Sequence, residues 1–258
     1  MKVDVGFIGT GGIATALAKG FCAGGGFDGK VYVFDIDEGR TRALREAYPD
    51  KVVVAASNQE VIERADVVFP TLLPRVLREV APTLRFRKEN RIIHIAAGIK
   101  IEESAPWFAP ARGVARAVPL PFAARRIGPV VLYGGDALCE ELLSLLGAVV
   151  KVDTERDLEI LAAITGMMVS YYGVVGEMVG WAVGKGIDFQ SALRYTTFMN
   201  EALSALMRSD CTEDVEAFLV ENSTPQGMNE LGLKHLRGKG AYAPWVEALE
   251  QIGKHYGL

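Results

Sequence analysis

Six residues near the start of the chain, Gly9-Thr10-Gly11-Gly12-Ile13-Ala14, have the types and spacing to hold a phosphate without a charged side chain. In a G-x-G-x-x-A pattern the first glycine permits a tight turn and the second lets an anion approach the main chain. The small sixth residue lets the following helix pack closely on the preceding strand. Unpaired amides and the helix dipole then favour negative charge at that helix start. The pattern is informative only between a strand and a helix, and both signals are present. Val3 to Ile8 is an apolar, partly β-branched run, while Ile13, Ala14, Leu17, Ala18 and Phe21 recur at helical spacing before Gly24-Gly25-Gly26. A second run, Val31 to Phe34, ends at Asp35, whose carboxylate can accept hydrogen bonds from ribose hydroxyls. Gly9, Gly11, Gly12, Ile13 and Asp35 are therefore candidate dinucleotide-binding residues. Asp35 opposes a 2′-phosphate and points to NAD, whereas Arg40 and Arg42 turned inward would admit NADP; the balance favours NAD.

Stepping along the chain, further strand-like runs occur at Lys51 to Ala55, Asp66 to Thr71, Arg91 to Ala96, Gly113 to Ala117, Val130 to Tyr133 and Ala148 to Val152. Helical patterns separate them, which predicts a doubly wound α/β sheet of parallel strands with crossover connections. Beyond Thr154 the strand signal disappears and long helical stretches follow. The expected organisation is an N-terminal Rossmann domain over 1–153 and an all-helical C-terminal domain over 154–258.

The chain has 258 residues, half of them apolar and 23% charged, enough to bury a sizeable core and unlike a disordered chain. A net charge of -4 leaves no broad cationic surface, so no nucleic-acid partner is expected. Three dispersed cysteines suggest neither a disulfide framework nor a metal cluster, and the N-terminus lacks a signal-peptide pattern, so a cytoplasmic location is expected. Ile160 to Val183 is long and apolar enough to cross a bilayer but carries Thr165, Ser170, Tyr171, Tyr172 and Glu177. It reads as a helix buried between domains or subunits, not as a membrane span, and implies a homodimer or higher homo-oligomer.

Three segments resemble the pyrroline-5-carboxylate reductase family, within the group whose helical domain is similar to that of 6-phosphogluconate dehydrogenases. His94-Ile95-Ala96-Ala97-Gly98-Ile99 is similar to the family's S-I-A-A-G-I, and Arg116-Ala117-Val118-Pro119 to its R-x-M-P. Ser223-Thr224-Pro225-Gln226-Gly227-Met228-Asn229 is similar to its T-S-P-G-G-T-T. The resemblance implies NAD(P)-dependent hydride transfer to the C=N bond of a small cyclic imine carboxylate, of the proline-biosynthesis type. It places Ala97 and Gly98 with the cofactor and Thr165 with the substrate. The amides of Gln226, Gly227, Met228 and Asn229 would hold the substrate carboxylate. Asn229 replaces the threonine that faces the ring nitrogen, and Tyr171 or Tyr172 is the candidate proton donor, the other reading being that both tyrosines pack in a helix interface. The sequence departs from the pattern at Leu120 and Pro121, where the family has Asn and Thr, and at Met167 and Met168 in a stretch the family fills with small residues.

Two other readings stand beside this one. A hydroxyacid dehydrogenase of the 6-phosphogluconate type would carry a lysine between Thr154 and Trp181, and none occurs there. A dinucleotide-binding protein without catalysis would account for the altered pocket residues. Among the remaining polar residues, Glu177 is expected to pair with an arginine of a neighbouring helix. His94 is expected to contact the cofactor or fill the sheet, with His235 and His255 on helix surfaces. Ser223 and Thr224 are candidate helix caps.

Overall fold

A computed structural model describes residues 1–258. They divide into two compact units, Met1–Ala162 and Ala163–Gly257. The helix Glu155–Thr165, which carries the chain out of the first unit, pairs two glutamates, Glu155 and Glu159, with the sheet residue Arg116.

The first unit is built on one eight-stranded sheet. In chain order its elements are β1 Val5–Ile8, α1 Gly12–Ala23, β2 Val31–Phe34, α2 Glu38–Ala47, β3 Val52–Val54, α3 Asn58–Arg64 and β4 Val67–Pro70. They continue with α4 Pro74–Val80, β5 Arg91–His94, α5 Ile101–Phe108, β6 Gly113–Val118, β7 Pro129–Gly134, α6 Ala137–Ser144, β8 Ala148–Val152 and α7 Glu155–Thr165. The sheet order is β3-β2-β1-β4-β5-β6-β7-β8, so the winding reverses between β1 and β4. At such a reversal the helices diverge and leave a crevice at the strand ends.

One expectation fails. β7 runs antiparallel to β6, pairing Ala115 with Gly134 and Val118 with Val131. Residues 119–128 are too few for a crossover helix. They form a 3-10 turn, Pro121–Arg125, closed by Arg126 in the left-handed region at φ 59°. α1 lies against that turn so closely that a Cβ at Gly20 would come within 2.3 Å of the Ala123 carbonyl oxygen.

The core on one side of the sheet centres on phenylalanines. Phe7 of β1 stacks on Phe69 of β4 with centroids 5.0 Å apart, and Phe21 of α1 meets Phe27 at 5.2 Å. Full burial of each ring stabilises by roughly 2–3 kcal/mol, which clamps α1 over the β1–β4 junction. On the opposite side His94 is completely buried, with Ser104 Oγ 3.3 Å from Nε2, Phe108 alongside and Nδ1 without a partner. His94 therefore fills the sheet.

The second unit contains α8 Met168–Gly184, α9 Phe189–Asp210, α10 Val215–Glu221, α11 Met228–Gly238 and α12 Ala243–Gly253. Its buried apolar cluster is small: Val175, Val179 and Ala192. The apolar stretch predicted as a buried helix is broken at Gly166 and Met167, and most of it faces outward within the chain, with Val169 76% and Trp181 70% exposed. Glu177 is exposed and forms no ion pair with an arginine.

Burial, reinforced by the Arg116 charge, pushes the His94 pKa from 6.5 down to about 3. Between those values the unfolded chain binds a proton that the folded chain refuses, so His94 makes stability rise with pH across that window and fall on acidification. Replacing it with leucine should flatten the dependence by on the order of 1 kcal/mol per pH unit between pH 6 and 4, measured by urea unfolding. Parallel curves for the two proteins would contradict this placement.

Candidate functional site

The glycine turn leaves β1 at the reversal point and is wired to both neighbouring strands. Gly9 adopts φ 88°, which its glycine identity permits, and its amide donates to the Phe34 carbonyl of β2 at 2.8 Å. From the other side Thr71, just past β4, donates through Oγ1 to the Gly9 carbonyl at 2.6 Å and the Ile8 carbonyl at 3.1 Å. Asp35 completes the frame. Its Oδ2 accepts from the Thr10 amide at 2.6 Å and the Thr10 hydroxyl at 3.1 Å, while Oδ1 accepts from the Asp37 amide at 2.9 Å. Partial burial alone would raise the Asp35 pKa. The hydrogen bonds from Thr10 and Asp37, with Arg40 nearby, outweigh it and hold the carboxyl below its ordinary value.

α1 has Gly11 as its N-cap, no side-chain cap and no acidic residue in its first turn. Cβ atoms built at Gly11 or Gly12 would meet nothing within 4 Å. The open face, the uncapped amides and the acid-free first turn of α1 suit a pyrophosphate, so these residues fit a dinucleotide. Ala14 is buried against the sheet, as the close helix-to-strand contact demands.

A cleft of about 580 Å³ opens from this turn and is lined by Gly9, Gly11, Gly12, Ile13, Asp35 and Ala97, which the sequence nominates. Gly98, the next residue, is not part of the lining; it adopts φ 69° and closes the turn behind Ala97. The cleft also takes in Ile36, Arg40, Thr71, Leu72, Leu73, Pro74 and Val76, to which the glycine pattern does not point. Their signal was available in the position of Thr71 to Val76 beside the carboxyl end of β4, where crevices of open sheets form. Both arginines considered for a 2′-phosphate already face carboxylates. Arg40 lies 3.2 Å from Asp37 and 4.0 Å from Asp35, and Arg42 lies 3.9 Å from Glu38.

The residues nominated for substrate and catalysis belong to other elements. Thr165 ends α7, and Tyr171, in the first turn of α8, is partly exposed beside Tyr172. Gln226 to Asn229 form the loop entering α11, where Gln226 holds a left-handed φ of 59°. Two of the four amides expected to be open are taken. Gln226 N–H donates to Glu230 Oε2 at 2.6 Å, and Gly227 N–H donates to the Thr224 carbonyl at 2.8 Å. Those of Met228 and Asn229 stand in the first turn of α11. The Asn229 side chain donates to the Asn222 carbonyl at 3.4 Å. Ser223 and Thr224 do not cap the helix, because the N-cap is Gly227 and Glu230 reaches back in their place.

Comparison with known proteins agrees with this geometry. The family described as NADP oxidoreductase coenzyme F420-dependent matches residues 4–98, the part that builds the cleft. Along the whole chain, the pyrroline-5-carboxylate reductase of Pseudomonas aeruginosa is 28% identical over 256 residues, which is 95% of this chain and 92% of that protein. This chain is similar to the pyrroline-5-carboxylate reductases along nearly its whole length. The fold agrees throughout: the reductase structure from Streptococcus pyogenes superposes with a TM-score of 0.83 at 22% identity, covering 100% of this chain and 99% of that one. The Plasmodium falciparum pyrroline carboxylate reductase with NADP bound gives 0.81 at 15% identity, covering 99% and 97%.

Because no atom of the fold occupies the Cβ position of Gly11, Gly11→Val should leave the thermal midpoint within about 2 °C of wild type. It should nevertheless weaken dinucleotide affinity by about tenfold or more, read by titration of cofactor fluorescence, since the side chain would stand where the phosphates approach. Unchanged affinity would overturn the assignment.

Proposed function

We propose that the chain is an NAD(P)-dependent reductase of the pyrroline-5-carboxylate reductase type, acting on the C=N bond of a small cyclic imine carboxylate. The observation that carries this reading is the uncapped, acid-free start of α1 at the sheet reversal, in a chain alignable to such a reductase from end to end. A bound nicotinamide supplies the hydride; this chain's residues bind and orient. The amides of Gly11, Gly12 and Ile13 would hold the pyrophosphate, and Ala97 would lie with the bound cofactor. Asn229 donates a hydrogen bond to the imine nitrogen but has no proton to release, so Tyr171 holds the proton. With Gln226 and Gly227 already engaged, the Met228 and Asn229 amides remain for the substrate carboxylate.

NADH is the preferred coenzyme. Asp35, Asp37 and Glu38 outnumber Arg40 and Arg42 at the ribose edge, and both guanidiniums lie against those carboxylates. A 2′-phosphate would enter a region of net negative charge.

The helical unit assembles with a second copy in a reducing cytoplasm, where Cys22, Cys139 and Cys211 stay free. What supports assembly is the outward apolar surface of α8 and α9, including Trp181, Tyr195 and Phe198. Sedimentation should give at least twice the chain mass of 27.9 kDa, and a monomer at micromolar concentration would refute it.

The deciding experiment is oxidation of NADH and NADPH by the purified protein with pyrroline-5-carboxylate, then pyrroline-2-carboxylate and piperideine carboxylates. At least one imine should turn over, with kcat/KM for NADH about tenfold or more above that for NADPH, equivalent to ~1.4 kcal/mol. Cofactor binding without turnover of any imine would leave a dinucleotide-binding protein without this chemistry. Preference for NADPH would overturn the coenzyme assignment alone.

A further inference from the structure

α5 starts without a cap of its own: Lys100, its N-cap residue, makes no side-chain hydrogen bond to the helix. The acceptor comes from far along the chain. Glu155 Oε1 receives the Ile101 amide at 2.9 Å, and the same oxygen receives Arg116 Nη1 at 2.9 Å. Arg116, 4% exposed on β6, shares that nitrogen with Glu159 Oε1 at 3.3 Å. β6, α5 and α7 therefore meet at one carboxylate oxygen.

The segment fixed by this contact is short. From the end of β5 at His94 the chain runs through Ile95, Ala96 and Ala97, which line the cofactor cleft, turns at Gly98, buries Ile99 completely and enters α5 at Ile101. Ala97 and Gly98 are exposed, and no atom lies within 4 Å of a Cβ built on Gly98. The turn has no packing of its own, so its position depends on its two ends: the β5 ladder on one side, Ile99 and the Ile101 amide on the other.

We propose that Glu155 is a positioning residue for the cofactor, holding the Ala97–Gly98 turn in place through the Ile101 amide while Arg116 fixes the carboxylate. This rests on the dinucleotide reading of the cleft. Glu155→Ala removes the acceptor and should weaken NADH binding about fivefold, the size of a lost helix cap. Glu155→Gln keeps an oxygen for the Ile101 amide and should restore affinity to within about twofold of wild type. Leu158→Ala, a buried residue on the same helix, controls for general destabilisation: it should lower the thermal midpoint yet leave NADH affinity unchanged. Where the alanine variant does not fold, Glu155→Asp retains the charge but withdraws it by one methylene, and it should weaken binding as alanine does.

NADH affinity would be read by fluorescence titration well below each midpoint. Equal losses in the Glu155 and Leu158 variants, or full affinity in Glu155→Ala or Glu155→Asp, would overturn the role of Glu155. If the wild-type protein bound neither NADH nor NADPH, the dinucleotide reading itself would fall.

Discussion

The carboxylate of Asp35 is the constraint around which the cleft is organised. It takes both polar hydrogens of Thr10, so the end of β2 and the glycine turn behave as one piece. A phosphate site made of main-chain amides has no long side chain to adapt to its ligand, and its selectivity depends on the backbone being held in place beforehand. Thr71 secures the same turn from β4, so the loop is held from both sides of the sheet reversal. Asp35 also contributes a negative charge at the ribose edge. One residue thus joins the glycine turn to β2 and sets a carboxylate in the cleft wall.

The two units differ in how they meet the need for a core. The first buries six phenylalanines together with aliphatic residues on both faces of its sheet. The second has a 22-residue helix, α9, of which only Ala192 and Thr196 are buried. Helices of this kind owe most of their stability to packing, and three buried apolar residues supply little of it. The methionines and tyrosines around the α7–α8 break belong to this loosely covered unit, where large side chains are accommodated at small cost in packing.

Much of the first unit was legible because its signals are local. β-branched runs located all eight strands, and Val31–Phe34 and Ala148–Val152 match to the residue. The direction of β7 was not legible. It depends on the length of the 119–128 connection and on Arg126 accepting a left-handed backbone, neither of which periodicity reports. The phosphate turn was legible because its function requires glycines at set positions. The substrate loop was not, because its amides were assigned without Glu230, whose reach back to Gln226 is a three-dimensional competition between carboxylates. Arg116 and Glu155 lie 39 positions apart, a separation at which no pattern in the chain links them. Glu177 misled for the same reason: a lone acid in an apolar run suggests a buried partner only if the run is buried.

Apart from Leu258, the first unit is the single stretch Met1–Ala162, and the cleft lining ends at Ala97. During synthesis the sheet therefore leaves the ribosome before α8 and α9 are made, and domains fold largely in that order. The nascent chain can close its nucleotide crevice while the most adhesive helices are still being translated. The helices then emerge attached to a body that is already folded, which keeps the sheet's unpaired strands from meeting them in an open state.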